Sequence, residues 1–96
     1  MTILHIEHPI RDFDTWKAAF DGDPAGREPS GVRRYRVLRP IDDPNYVIID
    51  LEFDSASKAH VFLAAMREVW GSPMAAQALA GSPQARIVEL IESKEY

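Results

Sequence analysis

His5 and Glu7 stand two residues apart, and a second stretch sets Tyr46, Asp50 and Glu52 at even spacing, with Arg34 and Arg36 shortly before it. Residues spaced by two on a strand share one face, so these groups can converge on a single surface. A histidine titrates near neutrality, and a carboxylate such as Glu7 or Glu52 beside it can orient the ring for proton transfer. A fixed guanidinium at Arg34 or Arg36 would stabilise an enolate-like anion formed by that transfer. His5, Arg34 and Asp50 are therefore the candidate catalytic residues. Glu7, Arg36, Tyr46 and Glu52 are candidate ligand contacts, joined by Trp70, whose place next to Gly71 suits the mouth of a pocket. The same pattern fits a salt-bridge lattice closed between two subunits, because structural ion-pair networks bring together the same residue types as active sites.

The elements that must position these groups begin with Val32 to Asp54, which reads as two antiparallel strands around the turn Pro40-Ile41-Asp42-Asp43-Pro44-Asn45. Val47, Ile49, Leu51 and Phe53 alternate with Tyr46, Ile48, Asp50 and Glu52, giving one apolar and one mixed face. Pairing odd with odd residues puts Arg33, Tyr35 and Val37 on the apolar face and leaves Arg34 and Arg36 with Asp50 and Glu52. The opposite parity would bury two unpaired guanidinium groups. Opposite charges facing each other across strands instead contribute about 0.2–1 kcal/mol per pair, so the first register is expected.

Thr2 to His8 alternates in the same way and is ended by Pro9, with His8 expected at the surface or as a cap. Asp12 caps a helix carrying Phe13, Trp16, Ala19 and Phe20, and Gly22 stops it. Asp21 to Gly31 is a long surface loop of the kind that borders a pocket. Asp54 or Ser55 caps a second helix with Ala59, Phe62, Leu63, Met66 and Trp70 on one stripe, and His60 faces solvent. Ser72 and Pro73 start a short helix from Met74 to Ala80, closed by Gly81. Ala85 to Glu92 is apolar on both parities, as in a strand covered on both sides. The order strand, helix, strand, strand, helix, strand is the split βαβ pattern of ferredoxin-like α+β domains, with sheet order 4-1-3-2 and both helices on one face.

The chain has 96 residues, 46% of them hydrophobic, which suits one domain spanning 1–96 with a real core. It has no cysteine, so thiolate chemistry and disulfides are excluded. A net charge of −4 without a basic run disfavours nucleic acid and anionic membranes as partners. No stretch has the length of a membrane span or the form of a leader, and a cytoplasmic protein is expected. No histidine and carboxylate spacing matches a metal motif, and neither a nucleophile elbow nor a phosphate loop is present.

The stretches HPIRDFDTWKAAFD and DDPNYVIIDLEFD and the junction Trp70-Gly71-Ser72-Pro73 resemble the dimeric α+β barrel superfamily, which includes antibiotic-biosynthesis monooxygenases, haem-degrading monooxygenases and polyketide cyclases. The resemblance covers nearly the whole chain and is closest to small uncharacterised bacterial members. It implies a homodimer joined through the bare sheet faces. In the haem-degrading branch a first-strand Asn, a Trp ending the second helix and a helical His form the site. Trp70 matches the Trp, but the first strand carries His5, and the short helix offers Gln77 where the axial histidine would stand. Cofactor-independent members use Asn, Trp, Tyr and Arg around a pocket, and this chain has such residue types without an assignable motif. The resemblance thus implies a small-molecule-binding protein acting on an apolar or aromatic metabolite without an organic cofactor, by oxygenation, cyclisation or isomerisation. The alternative is a binding or accessory homodimer without turnover.

Overall fold

The computed structural model describes residues 1–96. Its elements are β1 (Thr2–Pro9), α1 (Phe13–Asp21), β2 (Arg34–Leu38), β3 (Tyr46–Phe53), α2 (Ala56–Trp70), α3 (Pro73–Ala78) and β4 (Gln84–Glu89). The strands form one antiparallel sheet in the order β2-β3-β1-β4, which is the expected 4-1-3-2 order read from the other edge. This is the ferredoxin-like α+β fold.

Each helix starts where a side chain replaces a missing backbone partner. The Asp12 carboxylate accepts from the Thr15 N–H at 2.9 Å, the Ser55 hydroxyl from Lys58 and the Ser72 hydroxyl from Ala75. Of the two candidates for the second cap, Ser55 takes the position. Helix α3 is shorter than expected because its exit is taken over by β1. Ile10 and Leu79 form a bridge, and the Ala80 N–H donates to the Pro9 carbonyl. Gly81 then passes so close to Pro9 that a Cβ on it would lie 2.8 Å from the proline Cγ.

The alternation of β1 and β3 sends Leu4, Ile6, Val47, Ile49, Leu51 and Phe53 to the helix side, all at most 3% exposed. There they meet Ala59, Phe62 and Leu63 of α2 and Trp16 of α1. The opposite face has no helix over it. β4 ends at Glu89 rather than Glu92, and its outward Val88 is 39% exposed, so the second cover implied by its apolar pattern is not supplied by this chain. No helix is long and apolar enough to cross a membrane.

Candidate functional site

The sheet has two chemically different sides, and the candidate residues are divided between them. On the open side the register aligns Arg36, Asp50, His5 and Arg86 in one row across all four strands. The row above holds Arg34, Glu52, Ile3 and Val88, and the row below Leu38, Ile48, Glu7 and Gln84. Arg34 and Arg36 thus share the face of Asp50 and Glu52, as the cost of burying unpaired guanidinium groups required.

Within this face the polar groups satisfy one another. His5 Nδ1 lies 2.7 Å from Asp50 Oδ1, and His5 Nε2 lies 2.8 Å from Glu7 Oε2. Tyr46 donates its hydroxyl to the other Glu7 oxygen at 2.7 Å. A carboxylate only accepts, so an imidazole held by two of them carries both protons. Its pKa is accordingly raised above the usual histidine value, chiefly by the hydrogen bond to Glu7, with Asp50 adding to it and partial burial opposing. The same bonds, first from His5 and then from Tyr46, lower the Glu7 pKa, and donation to Glu7 raises that of Tyr46. Arg34 Nε lies 3.5 Å from Glu52 Oε2. Arg36 and Arg86 have no ion-pair partner within the chain. His5, Glu7, Asp50 and Tyr46 form one connected chain, with both ring nitrogens of His5 engaged.

Trp70 is on the other side of the sheet. It lines a cavity of about 720 Å³ between the helices and the sheet, within the size range of small-molecule sites. The floor is Ile6, Ile49 and Leu51, and the walls are Phe20, Phe62, Met66 and Trp70. The loop after α1 closes one end, as its length suggested. Arg27 organises that end: its Nη1 donates to the Phe20 carbonyl at 2.7 Å, and its guanidinium stacks 4.0 Å above the Phe20 ring and 5.0 Å from that of Tyr35. Asp23 accepts from the Arg27 N–H at 2.8 Å and balances its charge. Trp70 was grouped with Glu7, Arg36, Tyr46 and Glu52 as a ligand contact, but the pocket it lines and the polar face lie on opposite sides of the sheet.

Two residues that sequence reasoning passed over, Arg86 and Arg27, and one that it placed elsewhere, His8, take structural roles. His8, expected at the surface or as a cap, is 2% exposed and lies in the cavity wall. Its signal was parity, since it follows Leu4 and Ile6 on the buried face, and the neighbouring Pro9 obscured that signal. Arg86 joins the His5 row only through the pairing of β4 with β1. Arg27 gave no local sign of its stacking between two aromatic rings. His60 is exposed and Trp16 is in the core, as expected. No group of three or more His, Asp or Glu side chains is arranged to hold a metal ion.

These features define a ferredoxin-like α+β domain with helices on one face, a cavity beneath them and a polar row on the open face. Solved structures of that fold are similar over nearly the whole chain. SnoaB, a cofactor-independent oxygenase from Streptomyces nogalater, aligns with a TM-score of 0.73 at 12% identity, covering 96% of this chain and 94% of that one. The ActVA-Orf6 monooxygenase of Streptomyces coelicolor, in complex with nanaomycin D, aligns at 0.68 and 15% identity, covering 99% and 91%. A dimeric ferredoxin-like protein from an uncultured marine organism aligns at 0.64 and 6% identity over 100% of both chains. The likeness at these identities is one of fold, and it is the fold of antibiotic-biosynthesis monooxygenases and dimeric ferredoxin-like proteins that the sequence motifs suggested. No family model matches the chain, and no curated protein matches it in sequence.

Proposed function

We propose that this protein is a homodimeric small-molecule-binding protein of the dimeric α+β barrel type, which takes an apolar or aromatic metabolite and oxygenates it without an organic cofactor. The observation that carries the reading is the cavity under the helices, whose aromatic and aliphatic walls suit a flat apolar ligand. Structures of the same fold include an oxygenase described as cofactor-independent and a monooxygenase holding nanaomycin D, and both support it. Native mass spectrometry of the protein with nanaomycin D, followed by oxygen uptake with any ligand retained, tests the reading. Absence of any retained apolar ligand across a metabolite screen overturns it.

The dimer is part of the same proposal. Leu38 and Val88 are 44% and 39% exposed on the open face beside Ile3 and Ile48, an apolar surface of the kind that marks an interface. Arg36 and Arg86 supply cations without partners in their own chain, available to carboxylates of a second copy. A monomer in sedimentation at micromolar concentration overturns this part. A second reading, binding without turnover, is favoured by one observation: His5, Glu7, Asp50 and Tyr46 are consumed in bonds to one another. On that reading the polar row, including the candidate catalytic residues His5, Arg34 and Asp50, is a device for specific pairing of subunits, and oxygen uptake with a bound ligand stays at the background rate.

A further inference from the structure

His8 sits where the period-two alternation of β1 turns it toward the helices, with its ring edge-on to Trp16 at a centroid distance of 6.3 Å. It is the one imidazole of the cavity wall and the most buried titratable group there. Its Nδ1 lies 2.9 Å from the Pro9 carbonyl oxygen. A carbonyl only accepts, so Nδ1 carries the proton and Nε2 presents a lone pair. Burial lowers the pKa of the ring, more than the bond to Pro9 raises it, which keeps the ring neutral around pH 7.

Nε2 makes no hydrogen bond in the chain, yet no side-chain polar atom sealed from solvent lacks a partner. The nitrogen is therefore not sealed off, and the residue that carries it lines the cavity. The cavity floor is Ile6, Ile49 and Leu51, and Trp16 packs against the His8 ring. The other ionisable groups of the wall, Asp23, Arg27 and Glu68, belong to the closing loop and to α2, and Arg27 is already matched by Asp23. An unpaired acceptor beside an apolar floor favours a ligand that brings a donor to it, because a ligand without one leaves the acceptor desolvated and unpaired.

We propose that His8 is the specificity-determining residue of the cavity, accepting through Nε2 a hydrogen bond from the O–H of a neutral hydroxylated aromatic ligand. The assignment rests on the cavity being a ligand site. It makes the cavity selective for the protonated hydroxyl over its methyl ether, which has the same ring system and no donor.

The test uses the full-length protein with 1-naphthol and 1-methoxynaphthalene as probes, measured by fluorescence titration. The unaltered protein should bind 1-naphthol about tenfold tighter than the ether, the size expected of one added hydrogen bond. His8→Phe should bind both probes within about twofold of each other, since it keeps a flat apolar wall and loses the lone pair. In the unaltered protein the imidazole ¹⁵N signal of His8 Nε2 should shift on addition of 1-naphthol and stay in place with the ether, and this measurement decides the matter if His8→Phe does not fold. Equal binding of the two probes, a preference that survives in His8→Phe, or an unmoved Nε2 signal overturns the His8 assignment and leaves the cavity reading standing. Failure of both probes to bind overturns the cavity reading and the assignment together.

Discussion

His5 and Asp50 occupy directly paired positions of β1 and β3, and the imidazole Nδ1 lies 2.7 Å from the carboxylate Oδ1. With Glu7 on the other nitrogen, the ring is held as an imidazolium between two carboxylates. Such a group donates protons and does not accept them until one bond is given up.

The first prediction follows from linkage. The raised pKa of His5 means that its contribution to the folded state is complete below the ordinary histidine value, about 6.5, and is lost as pH rises through the higher folded value. The lowered pKa of Glu7 acts in the opposite direction: its contribution is complete above the ordinary carboxylate range and is lost as pH falls through the depressed value. His8 adds a loss as pH falls from the ordinary histidine value toward its depressed one, where the unfolded chain takes up the proton first. Urea midpoints between pH 4 and pH 9 should therefore pass through a maximum in the mildly acidic to neutral range. In His5→Gln the decline on the alkaline side should be reduced.

Tyr46→Phe removes the hydroxyl that donates to Glu7 and leaves the ring in place. The Glu7 carboxyl should then titrate closer to its ordinary value, while His5 keeps both carboxylate bonds. Carboxyl ¹³C titration by NMR reads the shift directly, and an unchanged Glu7 would show that the Tyr46 bond is not formed in solution.

Phe53 is completely buried, with its ring centroid 5.6 Å from that of Phe62. It lies behind the cavity wall, and Phe53→Ala should destabilise the fold by about 3–5 kcal/mol. Chemical denaturation measures the loss. A cost below about 1 kcal/mol would mean that the space collapses around the smaller side chain.

Gly81→Ala tests the closeness of the β4 entrance to β1. The added Cβ would lie 2.8 Å from Pro9 Cγ, at a position where the glycine backbone is not left-handed, so the penalty is one of overlap alone. A destabilisation of about 1–3 kcal/mol is expected, as for other overpacked contacts. Thermal unfolding of the variant checks it. Because Pro9 also holds the His8 ring through its carbonyl, a displaced Pro9 should alter the His8 Nδ1 signal as well.

Much of the fold was legible locally. The strict alternation of Thr2 to His8 and of Tyr46 to Phe53 separates a helix face from an open face without reference to any distant residue. Asp12, Ser55 and Ser72 mark helix starts because each satisfies backbone donors within its own first turn. The placement of Arg34 and Arg36 with the carboxylates of β3 follows from the expense of burying unpaired cations. Those signals are short-ranged or reduce to a choice between two faces, and one chain of residues suffices to read them.

What only the tertiary structure decided depends on distances between segments far apart in sequence. The pairing of β4 with β1 sets Arg86 beside His5, and the packing of α1, α2 and the loop after α1 over the sheet leaves the cavity that His8 and Trp70 line. Alternation places His5 and Trp70 on elements, but the thickness of the sheet puts them on opposite sides of it. Alternation equally assigns His8 to the buried face, while its neutral tautomer and its unpaired nitrogen arise from where the Pro9 carbonyl and the cavity happen to lie. Periodicity fixes the direction of a side chain; the partner or the void that it meets is set by long-range packing.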